Sequence, residues 1–159
     1  MKRNSSAIIA ALTLTAIVLG VILLANNGHR AEASMLKKKI AFIGPGVMAE
    51  AMIAGLLRKQ LARPENITAA GPREERGAEL QKKYGIKITT DNAFAASHAD
   101  VVVLSVKPQR LSEVMKGLKG IRSDALVLSI IAGASIKKIG AGLKHKSVAR
   151  SMPNTPGQI

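Results

Sequence analysis

One segment, Lys39-Ile-Ala-Phe-Ile-Gly-Pro-Gly-Val-Met-Ala-Glu50, constrains this chain more than any other. A short apolar run breaks at Gly44-x-Gly46-x-x-Ala49 and passes directly into a helical pattern. Strand, glycine turn and helix in that order make a cradle for a pyrophosphate, and each position has a mechanical reason. Gly44 lets the chain turn tightly as it leaves the strand. Gly46 has no side chain, so an anion can approach the backbone. Ala49 is small enough for the helix to pack closely on the strand. A helix starting near Val47 then directs its free N–H groups and the positive end of its dipole at the anion. An ordinary glycine turn could use the same residues, so the context has to decide.

The context is a regular alternation of strand and helix beyond residue 35. Candidate strands are Lys39–Ile43, Asn66–Ala70, Ile86–Thr89, Val101–Ser105, Leu126–Ile131 and Val148–Ser151. Several are apolar almost throughout, as strands covered on both faces of a parallel sheet should be. Candidate helices are Met48–Lys59, Glu74–Tyr84, Asn92–Ala96, Pro108–Leu118 and Ser135–Leu143. In the first, Met48, Met52, Ile53 and Leu56 recur at helical spacing and are expected in the core. Right-handed crossovers then give a doubly wound parallel α/β sheet, a Rossmann-type nucleotide-binding fold, over residues 35–159.

Composition narrows the chemistry. The sequence has no Cys, which excludes disulfides, thiolate metal sites and cysteine nucleophiles. His29, His98 and His145 lie far apart without ligand spacing, and no metal site is expected. Against 10 acidic residues stand 24 Lys plus Arg, a formal charge of +14. That excess suits an anionic small ligand, an anionic membrane surface or nucleic acid. Nucleic acid is the weakest of the three and is not expected as a partner. With no Trp, one Tyr and two Phe the chain lacks a stacking platform.

Residues 1–34 form a separate hydrophobic segment. Met1-Lys2-Arg3 precedes an uncharged stretch whose apolar heart, residues 7–25, is about long enough to cross a bilayer, which takes roughly 17–25 residues. Three readings stand: a membrane anchor, a cleaved export signal ending near Ala31-Glu32-Ala33, or sequence upstream of a start at Met35. Basic residues flank both ends, so the orientation of a span is undetermined. Export ranks last, since it would separate the domain from the cell's supply of nucleotide cofactors. The domain is expected in the cytoplasm, free or tethered to a membrane.

The second strand's end indicates which nucleotide is bound. A site for NAD usually places Asp or Glu there, to hold the ribose hydroxyls. Here the chain reads Ala69-Ala70-Gly71-Pro72-Arg73-Glu74-Glu75-Arg76, with no carboxylate at the tip and Arg73 close behind. A carboxylate would repel a 2′-phosphate, whereas a guanidinium can bind it with paired charge-assisted hydrogen bonds. The expected cofactor is NADP, with NADPH preferred over NADH. The alternative is that Arg73 and Arg76 merely open an exposed helix. Beyond the fourth and fifth strands, Ser105-Val106-Lys107 and Ile131-Ala132-Gly133 lie on the same edge of the sheet.

From Lys38 to Ile159 the chain resembles the pyrroline-5-carboxylate reductases. Four segments in order carry the resemblance: Phe42-Ile-Gly-Pro-Gly-Val-Met-Ala-Glu-Ala-Met52, Val103-Leu-Ser-Val-Lys-Pro-Gln109, Ser129-Ile-Ile-Ala-Gly-Ala-Ser135 and Arg150-Ser-Met-Pro-Asn-Thr-Pro156. The resemblance implies that Ile43, Gly44, Pro45, Gly46, Val47 and Met48 form the pyrophosphate turn. Gly71 and Arg73 fall in the 2′-phosphate loop, and Asn92 matches a cofactor contact. Val106 and Lys107 match a ribose-contacting pair, and Ala132 a backbone contact beside the nicotinamide. Asn154 and Thr155 are expected near the substrate. Two positions depart from the family's habit. Gly71 stands where a Ser or other hydroxyl is common, and Pro45 replaces a small residue and removes a backbone donor.

The implied reaction is NADPH-dependent reduction of 1-pyrroline-5-carboxylate to L-proline, with no residue assigned as catalytic acid. The family continues past the last of these segments into a helical domain that builds the dimer and holds most substrate contacts. The sequence ends at Ile159, so the chain is expected to lack that domain and the homo-oligomer it supports. Two alternatives stay open: a non-catalytic NADP-binding module or remnant, and another NADP-linked reductase, such as the deazaflavin-linked group. The Met152-Pro-Asn-Thr-Pro156 segment argues against the latter.

Overall fold

A computed structural model describes residues 37–152. The apolar run 7–25 and residues Asn154 and Thr155 lie outside them. The chain runs β1 (Ile40–Ile43), α1 (Val47–Arg58), β2 (Ile67–Ala70), α2 (Glu74–Tyr84), β3 (Lys87–Thr89), α3 (Asn92–Ser97), β4 (Val101–Leu104), α4 (Leu111–Gly117), β5 (Leu126–Ser129), α5 (Ile136–Leu143) and β6 (Val148–Arg150). The six strands form one sheet in the order β3-β2-β1-β4-β5-β6, and every pair is parallel. Winding starts at the centre, runs outward to β3, then crosses back to β4. The order therefore reverses between β1 and β4, where loops leaving adjacent strands diverge and open a crevice.

Alternation along the strands explains why they are apolar without interruption. Ile40 and Phe42 face one way, packing with Ala49, Met52, Ile53 and Leu56 of α1 and Leu80 of α2. Ala41 and Ile43 face the other, packing with Ala95, Ala96, Leu111, Met115 and Ile139 of α3, α4 and α5. Both faces are buried, so neither parity of the strand can be polar. Among the described residues no helix is long and apolar enough to cross a membrane.

Local signals set the helix ends. Asp91 caps α3 by accepting from the Phe94 N–H at 2.9 Å, and Ser135 caps α5 by accepting from Lys138 N–H at 3.1 Å. At the other end of α2, Gly85 takes φ +68° and its N–H reaches the Gln81 carbonyl at 2.8 Å.

Two expectations are corrected. The segment Pro108–Leu118 is not one helix: Pro108–Arg110 form a 3₁₀ turn ahead of α4, closed by Arg110 N–H donating to the Lys107 carbonyl. Met48 is only half-buried, unlike Met52, Ile53 and Leu56. It lies in the first turn of α1, next to the end of the sheet.

Candidate functional site

The loops leaving β1, β2, β3 and β4 meet around a cleft of about 680 Å³ at the carboxyl edge of the sheet. Its walls include Gly44, Pro45, Gly46, Gly71, Arg73, Asn92, Val106 and Lys107. That volume lies in the range of pockets that take small organic ligands and cofactors.

The two glycines of the first loop have different reasons to be there. Gly44 has φ +90°, and a β-carbon on it would sit 2.6 Å from Val106 Cγ1 and 3.0 Å from the Val106 backbone N and Cα. Both the turn and the approach of the β4 exit require it. Its N–H donates to the Ala70 carbonyl at 2.9 Å, tying the turn to β2. Gly46 has an extended φ of −80°, and a β-carbon there would meet nothing within 4 Å. Neither backbone nor packing asks for a glycine at 46. As the N-cap of α1 it offers no side chain to the free N–H groups of the first turn.

Ser105 locks the turn from the opposite side. Its N–H donates to the Ile43 carbonyl at 2.9 Å, and its hydroxyl lies 3.0 Å from that oxygen and 2.9 Å from the Gly44 carbonyl. The turn is thus braced by β2 on one side and β4 on the other before any ligand arrives.

The arginines at the start of α2 divide sharply. Arg76 is fully engaged: its Nε donates to the Pro45 carbonyl at 3.1 Å, one terminal nitrogen bonds Glu79 at 2.9 Å, and the other bonds Glu50. Glu50 also accepts from Lys83 Nζ at 2.8 Å and from the Tyr84 hydroxyl at 2.9 Å. The Lys83 bond first, then that from Arg76, lowers the Glu50 carboxyl from 4.5 to about 2, against the opposing effect of burial. Arg73 lies exposed on the cleft wall, and its guanidinium has no partner among the described residues.

Farther along the cleft, Asn92 Oδ1 is buried without a hydrogen-bond partner. A buried amide oxygen left open is costly unless something donates to it. Lys107, on the loop after β4, has no ion-pair partner among the described residues.

Of the residues expected at the site, eight line this cleft together: Gly44, Pro45, Gly46, Gly71, Arg73, Asn92, Val106 and Lys107. Ile43 is fully buried and meets the loops through its carbonyl. Val47 is exposed at the start of α1 and Met48 half-buried beside it. Ala132 is exposed on the loop after β5 and is not part of the cleft wall. Sequence reasoning missed the bracing role of Ser105 and the engagement of Arg76. A Glu on one helix and a Lys–Tyr pair at the end of the next was the available sign of the Glu50 cluster.

The family model for NADP oxidoreductase, coenzyme F420-dependent, matches residues 39–133. Among curated relatives, a pyrroline-5-carboxylate reductase of Vibrio alginolyticus is 46% identical over 127 residues, covering 79% of this chain and 46% of the relative. One of Synechocystis sp. is 40% identical over 121 residues, covering 76% of this chain and 45% of the relative. A solved pyrroline-5-carboxylate reductase from Coxiella burnetii superposes with TM-score 0.71 at 35% identity, over 77% of this chain and 46% of that one. The Plasmodium falciparum pyrroline carboxylate reductase, solved with NADP bound, gives 0.66 at 28% identity over 78% and 45%. The chain thus spans a little under half the length of these relatives.

Proposed function

The chain belongs to the family described as NADP oxidoreductase, coenzyme F420-dependent, and on that footing we propose that it binds NADP in the carboxyl-edge cleft as the cofactor-holding part of a pyrroline-5-carboxylate reductase. The observation that carries the reading is the contrast between Arg76, fully engaged by protein, and Arg73, open on the cleft wall. The open guanidinium is placed for a 2′-phosphate, and no carboxylate stands at the tip of β2 to repel one.

The other features fit the same ligand. Gly46 leaves room at the N-terminus of α1, where a diphosphate would meet the free N–H groups of Val47 and Met48 and lie against the turn from Ile43 to Gly46. Asn92 offers its orphaned oxygen as an acceptor. Val106 and Lys107 would hold a ribose, and the exposed backbone at Ala132 would border the nicotinamide. Held there, NADPH would supply the hydride for the C=N carbon of 1-pyrroline-5-carboxylate, with protonation at nitrogen giving L-proline. This chain's own contribution is to hold and orient the cofactor. Asn154 and Thr155 are proposed to border the substrate. We take residues 35–159 as the NADP-binding domain and place it in the cytoplasm, where NADPH is available.

Calorimetry on the full chain with NADPH and NADH tests the cofactor assignment. Saturable NADPH uptake, tighter than NADH, is expected; no uptake overturns it. Adding 1-pyrroline-5-carboxylate then separates two functions. A cofactor-binding module without turnover is the second reading. Oxidation of NADPH supports the reductase, and binding without oxidation supports the module. Reduction of NADP by a reduced deazaflavin would replace the proline assignment.

A further inference from the structure

The backbone of Gly71 lies outside the left-handed region, yet a β-carbon on it would lie 2.7 Å from Pro45 Cδ and 3.3 Å from Pro45 Cγ. A contact of 2.7 Å is one that real β-carbons essentially never make, so one residue would have to move. A proline ring cannot swing aside, because it closes on its own backbone nitrogen. Its peptide is also pinned: Arg76 Nε donates to the Pro45 carbonyl at 3.1 Å, and Arg76 is gripped by Glu50 and Glu79. The Gly71 N–H in turn donates to the Thr89 carbonyl at 3.1 Å, which fixes the other side of the contact. Position 71 is therefore bare because of position 45. Both residues border the main cleft and a smaller one of about 330 Å³, and Arg73 borders the same two spaces.

We infer that Pro45 is a specificity-determining residue: its ring fills the space of a side chain at position 71, so the loop after β2 meets a 2′-phosphate with the Arg73 guanidinium and without a hydroxyl from residue 71. The inference deepens the NADP reading and rests on it for the ligand; the steric coupling of 45 to 71 does not. A serine at 71 would add a second donor near Arg73, and a hydroxyl bonded to a charged oxygen is a strong contact. Only a smaller residue at 45 makes room for it. The two positions form one unit although they stand 26 positions apart in the chain.

The test is a double-mutant cycle on the full chain: wild type, Pro45→Ala, Gly71→Ser and the pair together. Tm is read without cofactor, and Kd for NADPH and NADH by calorimetry. Gly71→Ser alone should lower Tm and weaken both cofactors roughly tenfold, because overpacking displaces the turn. Pro45→Ala should move both cofactors together, within about threefold. The double variant should recover Tm and raise the preference for NADPH over NADH roughly tenfold or more above wild type, the worth of one added donor to a charged group. If Gly71→Ser is too unstable to purify, its recovery in the double variant is itself the expected coupling. Additive changes in Tm would overturn the steric inference. A double variant that recovers Tm with wild-type preference would overturn the assignment of Pro45 to specificity. If the wild type takes up no NADPH, the nucleotide reading and the specificity assignment fail together, while the Tm cycle still decides the steric coupling.

Discussion

The two edges of the sheet handle charge in opposite ways. At the amino edge, where strands begin, one cluster of polar groups is closed on itself. Asp100 accepts from the Lys39 backbone N–H at 2.8 Å and from Arg122 at 3.1 Å, and Arg122 Nε reaches Asp124 at 3.1 Å. The mutual hydrogen bonding of Arg122 and Asp124 raises the guanidinium's pKa and lowers the carboxyl's. His145 Nε2 donates to the Ala125 carbonyl at 2.7 Å. At the carboxyl edge the Arg73 and Lys107 side chains have no partner among the described residues, Asn92 Oδ1 has no donor, and Gly46 faces open space. Partners that hold the chain together are already satisfied. Groups left open on a braced framework are free for a ligand, and that asymmetry separates scaffold from site.

The sharpest way to break the comparison is within the glycine turn itself. Gly44→Ala should cost about 3 kcal/mol or more, from a positive φ and a clash with the Val106 backbone. Gly46→Ala should leave unliganded stability within about 1 kcal/mol, since its β-carbon meets nothing and an exposed cap tolerates the change. Yet it should weaken NADPH at least roughly tenfold by filling the space the anion needs. Urea unfolding and calorimetry on both variants read the two effects separately. A Gly46→Ala protein that binds normally would remove the ligand explanation for that position.

Glu50 sharpens the comparison as a closed cluster on the open edge. Its carboxyl lies at about 2, below its ordinary 4.5, chiefly through Lys83 and then Arg76. A lowered carboxylate value means the folded state binds the proton less readily than the unfolded chain. Its stability contribution is present above about pH 4.5 and is lost as pH falls toward about 2. The contribution is on the order of 2 kcal/mol, trimmed because Lys83 is solvent-screened. Glu50→Gln should lower stability at neutral pH by about that amount and flatten the acid limb of a pH series of urea midpoints. If the gap between wild type and variant stays constant down to pH 2, the cluster does not hold α1 to α2 as described.

The sequence carries the sheet well and the division of labour at its edge poorly, for a physical reason. Strands such as Val101–Leu104 are legible because burial on both faces forbids polar residues at either parity. The turn at Gly44 is legible because the backbone itself demands glycine. By contrast, Arg73 and Arg76 are three residues apart and look alike in sequence. Only the positions of Glu50, Glu79 and the Pro45 carbonyl separate them. Ser105 and the Pro45–Gly71 contact are of the same kind, since their partners lie far away in the chain. Met48 follows the helical spacing of Met52 but sits at the end of the sheet, where periodicity does not report burial.

Arg73 is the next test of the open edge. Arg73→Asp should weaken NADPH by roughly 10- to 100-fold, the loss of a charge-assisted bond plus added repulsion, while NADH changes by less than about threefold. Arg76→Met should do the reverse: it should lower Tm by releasing Pro45 and Glu50 and shift both cofactors together. Equal loss of NADPH and NADH in Arg73→Asp would return Arg73 to the status of an exposed helix start.

The smallest effect is expected at Lys107, and it distinguishes an open charge that selects from one that only attracts. Lys107 is proposed to hold a ribose, a part NADPH and NADH share, and on that proposal it should not tell one from the other. Lys107→Ala should therefore weaken both by the same roughly two- to fivefold, the range of an exposed cation acting through solvent. The loss should shrink as ionic strength rises. Arg122→Ala at the amino edge is the matched control: it removes a cation of the same sign that is already paired, so cofactor affinity should not move while Tm falls slightly. If both variants weakened NADPH alike, the domain's overall positive charge would be attracting the ligand, and the distinction between the edges would have no functional content.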